Sequence, residues 1–169
     1  MIEIKNRFTD EILQTVDANT LAGLKLDGAS LEVANLASAN FDGANLEHAN
    51  LAVADLTGAN LANALLNGAN LTGANLETAY LSYAFLKDAN LTGANLADAN
   101  LQCANLAGAN LTGANLTGAD LSHANLQGAN LNRACLDDVQ IKGALYDGKT
   151  VFPELFLEPD AKGATRIGS

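Results

Sequence analysis

The side chains that could do chemistry are few: Cys103 and Cys135, His48 and His123, and a scatter of Ser, Asp and Glu. A thiol and an imidazole can share a metal ion, but a structural zinc site takes four ligands. No C-x-x-C pair is present, and two cysteines make no disulfide framework. No Ser, His and Asp set has a spacing that would bring a nucleophile beside a base. The glycines keep the phase of a repeat and not the spacing of a phosphate-cradling loop. The chain is therefore expected to have no catalytic activity and no cofactor or metal site.

Charge narrows the partners. The net charge is −10 over 169 residues. Binding to nucleic acid or to an anionic membrane needs clustered Lys and Arg, so neither is expected. No apolar run follows the charges of the first seven residues, and Asn or Asp interrupts the later apolar positions every few residues. Neither a signal peptide nor a membrane span is expected, and a cytoplasmic, reducing setting is the default expectation.

What must position any site is a five-residue word. Its centres run from Leu26 to Ile141, 24 in all, and 22 of them are Leu. Ala stands two residues before the centre in 22 words, and Asn or Asp stands between in 17. Period five fits neither a helix nor a flat strand. A helix would carry the leucines around its surface by about 140° per word, and a strand would turn them to alternate faces. The chain must bend once per word, so that Leu and Ala face a shared interior and Asn faces out. Bends in one sense wind a stacked coil with one continuous core. Outward Asn side chains can then form a hydrogen-bonded ladder. Gly occupies the position two after the centre in 11 of the 24 words, as a turn with positive φ would favour. Val33, Val53, Tyr83 and Arg133 share that phase, so positive φ is not expected in every word.

Words such as Ala94-Asn95-Leu96-Ala97-Asp98 make the chain resemble the pentapeptide-repeat family, whose motif is A-(D/N)-L-x-x. The resemblance implies an all-β fold: a right-handed quadrilateral parallel β-helix of four words per coil and about six coils. At about 4.8 Å per stacked strand the rod would be about 29 Å long. Residues 1–23 would form an N-terminal cap, 24–148 the β-helix, and 149–169 a C-terminal cap and tail. Thr9 followed by Asp10 and Glu11 predicts a short capping helix near residues 10–17, with Ile12, Leu13 and Val16 buried and Phe8 stapled to Leu13. Ile2-Glu3-Ile4 predicts a short strand. The run Thr150–Phe156 is expected to fold back over the last coil, or to form a dimer surface. The ending A-x-Y-D-G-x-T-x-F-P is similar to that of cyanobacterial and plastid-type members. Residues 158–169 are expected to be poorly ordered.

Four words per coil make residues 20 apart neighbours. Leu65 and Phe85 then stack in a row where Asn is the rule, with Tyr80 and Tyr83 around the adjoining corner. These four form a candidate partner patch. A second column carries Asp55, Glu77, Asp98, Asp137 and Asp138 without Lys or Arg, a candidate acidic face. Some family members that protect type II topoisomerases are thought to mimic duplex DNA by such shape and charge. Five carboxylates are few, however, beside one phosphate per roughly 1.7 Å of duplex. Cys103 and His123 share an outward column, too few ligands for a metal. Cys135 lies in another column, so no disulfide is expected. A filled rod offers no concave pocket. The expected role is a non-catalytic structural or protein-interaction module with an unidentified protein partner. The rod is expected to be monomeric, or a dimer through the C-terminal cap.

Overall fold

The computed structural model describes residues 1–156 and 159–168. Its long middle section is built from single β-bridges. Each outward residue of a word pairs in parallel with the residue 20 positions later, from Lys25 with Asn45 to Asn125 with Leu145. The fold is a β-helix. The Leu96 amide donates to the Asn115 carbonyl at 2.7 Å, and the Asn95 amide donates to the Ala74 carbonyl at 2.9 Å. Both backbone groups of the word are thereby satisfied by the passes above and below. The core is the stack of inward side chains. Leu46, Leu66, Leu96 and Leu116 have no exposed surface, nor do Ala44, Ala64 and Ala94.

The bend is a tight turn closed by the word itself. The Ala99 amide donates to the Leu96 carbonyl at 3.1 Å, and the residue two after the centre has positive φ. Positive φ there is the mark of a type II turn. The expectation that it would be optional is corrected: it occurs in all 24 words, 13 of them without glycine. His48, Asn63, Asp88, Asp98, His123 and Asp138 occupy it with short polar or imidazole side chains, which tolerate it better than most. The geometry of the bend overrides residue preference because the ladder on either side fixes it.

The outward Asn supports the same bend. Asn45, Asn50, Asn60 and Asn110 each accept, through the side-chain oxygen, a bond from the backbone amide two residues on, at 3.0–3.2 Å. These are Asx turns. Amide ladders run between neighbouring passes at the same time: Asn70 donates to Asn50, Asn95 to Asn75 and Asn115 to Asn95, each at 3.0 Å.

Val53 combines a β-branched side chain with φ of 57° and is 40% exposed, so little burial offsets its strain. Val53→Gly is expected to stabilise the protein by about 0.5–1 kcal/mol, the αL strain relieved less the entropy cost of glycine. A raised midpoint of thermal unfolding would register this. Gly68→Val should act in reverse, since the Gly68 backbone has φ of +64° and an added Cβ would meet His48 Nδ1 at 2.6 Å.

The N-terminus corrects the predicted helix. Strands β1 (Ile2–Asn6) and β2 (Ile12–Val16) form an antiparallel hairpin, and β1 pairs in turn with β3 (Ala34–Asn35). The connecting turn is tied by Asn6, whose side-chain oxygen accepts from the Phe8 amide at 2.8 Å and the Thr9 amide at 3.2 Å. Asp10 has φ of 62°, outside the helical region. Ile12, Thr15 and Val16 are β-branched, and β1 supplies a partner edge, so pairing wins over the weak Thr9 cap. The expected buried face and staple are corrected too: Ile12, Leu13 and Phe8 are exposed, and Arg7 sits over the Phe8 ring at 5.1 Å.

At the other end, Val151 bridges to Asn130, 21 residues back, because the Asp147-Gly148 turn adds one residue to the pass. Phe152 meets Tyr146 edge-on and stacks with Phe156, both at 5.4 Å between ring centres. Within the tail expected to be poorly ordered, a 3-10 turn spans Pro159–Lys162, and β5 (Thr165–Arg166) pairs in parallel with β4 (Leu145–Tyr146). Glu158 and Ser169, also covered by that expectation, lie outside the described residues. Among the described residues, no helix is long and apolar enough to cross a membrane.

Candidate functional site

The mid-rod cluster follows from the 20-residue step. Leu65 and Phe85 are bridge partners on neighbouring passes, and Tyr80 bridges to Asn60 below and Asn100 above. Tyr83 occupies the corner position between Tyr80 and Phe85, with φ of 60°. Tyr80 is 56% exposed, Tyr83 60% and Phe85 45%, while Leu65 is half-buried beside Phe85. Each aromatic stands at an outward or corner position, where the repeat mostly places a small or polar residue, so none is needed by the core. Lys87 and Asp88 border the cluster and lie 4.0 Å from each other. The chemistry available is apolar contact plus two phenol hydroxyls, a combination suited to protein surfaces.

The candidate acidic face is not an uninterrupted row of carboxylates. Arg7 reaches over from the hairpin, placing Nη2 3.9 Å from Asp55 Oδ2 while Nη1 donates to the Val53 carbonyl at 3.0 Å. The words of the column hold no Lys or Arg, and the cation arrives from outside the repeat. Burial would raise the Asp55 pKa, but bonds from the Thr57 hydroxyl and amide, helped by Arg7, outweigh it and hold the carboxyl below its ordinary value. Glu77 and Asp98 are exposed. Asp137 and Asp138 line a cleft of about 850 Å³ at the C-terminal end, together with Arg133, Cys135, Pro153 and Lys162. Two cations therefore share the space with the carboxylates. The expectation of no concave pocket is corrected at this place, where the end segment stands off the last pass.

A carboxyl held below its unfolded pKa stabilises the fold above the unfolded value, and that contribution is lost as pH falls through the folded value. Asp55→Asn is therefore expected to lower stability at neutral pH and to converge with the parent in acid. Urea midpoints measured between neutral and acid pH would show the two curves meeting. Asp120 behaves alike: burial opposes the charge, but the Ser122 and Gln102 bonds and His123 lower its pKa.

Cys103 and His123 occupy corner positions, at φ of 58° and 60°. Among the described residues, no group of three or more His, Cys, Asp or Glu is arranged to hold a metal. The Cys135 thiol lies 3.2 Å from Thr117 Oγ1 and 3.4 Å from Asp137 Oδ2. Sequence reasoning missed Arg7 as a partner of the acidic column. Its only signal was its position among strand-forming residues of the cap.

Comparison with known proteins agrees with the repeat. The family described as pentapeptide repeats matches in 8 copies, over residues 20–52, 54–93, 74–113 and 104–143. No curated protein gives a match. Among solved structures, the chain is similar to the pentapeptide repeat protein Rfr23 from the cyanobacterium Cyanothece 51142. Identity there is 45%, over 58% of this chain and 63% of that one, with a TM-score of 0.50. The chain thus spans less than two thirds of that relative's length. It is 32% identical to alr5209, a pentapeptide repeat protein from Nostoc Pcc 7120, over 70% of this chain and 84% of that one, with a TM-score of 0.33. QnrB1, a plasmid-mediated fluoroquinolone resistance protein, is similar in fold: 18% identity, 88% and 90% coverage, TM-score 0.50.

Proposed function

Since the chain belongs to the pentapeptide-repeat family, we propose that it is a non-catalytic interaction module whose rod presents Leu65, Tyr80, Tyr83 and Phe85 to a protein partner. In this reading the rod is a right-handed, four-sided β-helix of six coils, monomeric and in a reducing, cytoplasmic setting. The observation that carries the proposal is the exposure of three aromatic rings at one level of the rod, at positions the repeat mostly gives to small or polar residues. Exposed apolar side chains gathered in one place favour a binding role over incidental packing. Leu65→Asn/Phe85→Asn restores the repeat's own residue at both positions, so the fold should survive. A pull-down from the source organism with parent and variant as baits tests the proposal. Loss of a specific partner from the variant is the expected result, and identical captures would overturn it.

A second reading, a DNA-mimicking modulator of a type II topoisomerase, draws on the fold likeness to QnrB1. The Arg7–Asp55 pair weakens it, since it places a cation on the acidic face, and five carboxylates are few beside the phosphates of a duplex. Micromolar protein is expected to leave gyrase supercoiling unchanged, and clear inhibition or rescue would favour this second reading.

A further inference from the structure

The N-terminal hairpin leaves a sheet edge open. In the order β2-β1-β3, β2 is an outer strand, and among the described residues no strand pairs with its far side. Such an edge displays a row of amide and carbonyl groups, and proteins protect it with lysine, proline or a covering loop. Here Ile12–Val16 reads Ile-Leu-Gln-Thr-Val, without charge or proline. The register shifts opposite Ile4 and Lys5, and both Ile12 and Leu13 are left exposed, at 53% and 39%. Phe8 adds a third exposed apolar side chain at 68%. Within the repeat, exposed large apolar side chains are confined to Val53 and the mid-rod cluster, so the three on the hairpin are a separate apolar feature beside the open edge.

Charge selects the occupant. Asp10 and Glu11 precede the strand and Asp17 follows it, while the two hairpin cations are engaged: Lys5 with Asp10 at 3.3 Å and Arg7 with Asp55. A second copy could pair β2 with β2 about a two-fold axis at Gln14. That would set Glu11 opposite Asp17 twice, and like charges directly opposite destabilise a sheet. We propose that the free edge of β2 is a strand-docking site for an extended, apolar peptide segment flanked at both ends by Lys or Arg. The backbone would supply the pairing, Ile12 and Leu13 the apolar contact, and the flanking carboxylates the choice of partner. This site is separate from the mid-rod cluster and does not rest on it.

The test is an NMR titration of the full chain with two capped peptides, Lys-Val-Thr-Val-Thr-Val-Lys and Glu-Val-Thr-Val-Thr-Val-Glu. The basic peptide is expected to shift the Ile12–Val16 amides and bind about tenfold tighter than the acidic one, with the margin shrinking as salt rises. Glu11→Gln/Asp17→Asn should remove the preference without changing the circular dichroism. Leu13→Lys should weaken binding of the basic peptide. Equal binding of both peptides, no response at β2 up to millimolar basic peptide, or dimerisation through β2 without peptide would each overturn the proposal.

Discussion

Replacing Leu96 with alanine is expected to destabilise the protein by about 2–5 kcal/mol, toward the upper end of that range. The loss has two parts: the transfer of the removed methyl groups, and the cavity they leave. How far a cavity costs depends on whether its walls can close. Leu96 is fully buried, with bonded passes on both sides. The wall above is fixed by the Leu96 amide on Asn115, and the wall below by the Asn95 amide on Ala74. Collapse would break a ladder that continues through every neighbouring word, so the void stays open. Urea unfolding supplies the number, with Leu155→Ala as control. Leu155 is 92% exposed and its truncation should change stability by less than about 0.5 kcal/mol.

Ala94→Leu tests the opposite failure and should cost at least about 1–3 kcal/mol. Ala94 also has no exposed surface and lies in the same word as Leu96. The inward Ala is small because the chain crosses close to the interior there, and three added carbons have nowhere to go without moving a bonded pass. Ala97→Leu, at a half-buried outward position of the same word, adds the same atoms without that constraint. Its stability should stay near the parent's. Comparable losses at positions 94 and 97 would mean that the interior is not the tight element described here.

Much of this was legible because the repeat couples pattern to geometry at every word. Leu at the centre and Ala two before it could only be inward if the chain bent each time, and both rows are buried except at Ala29 and Ala39 near the first pass. Leu65 beside Phe85 followed from the 20-residue step. The ends were less legible, because they fall outside the repeat. Thr9, Asp10 and Glu11 carry a local helix signal, yet β1 offers a pairing edge, and a non-local partner decided the outcome. The positive φ at Val33 and Val53 is hidden from the sequence for a related reason. Residue preference argued against it, while bonds between passes enforce it. Arg7 against Asp55 joins residues far apart in sequence through the hairpin's docking, which no spacing rule encodes.

Every surface feature of the repeat described above follows from residues 20 apart lying side by side. A nuclear Overhauser spectrum of methyl-labelled protein tests this directly at the candidate site. Cross-peaks between the Leu65 methyls and the Phe85 ring are predicted. Their absence, with Leu65 showing contacts only to its neighbours in sequence, would contradict the stacking and the surface cluster derived from it.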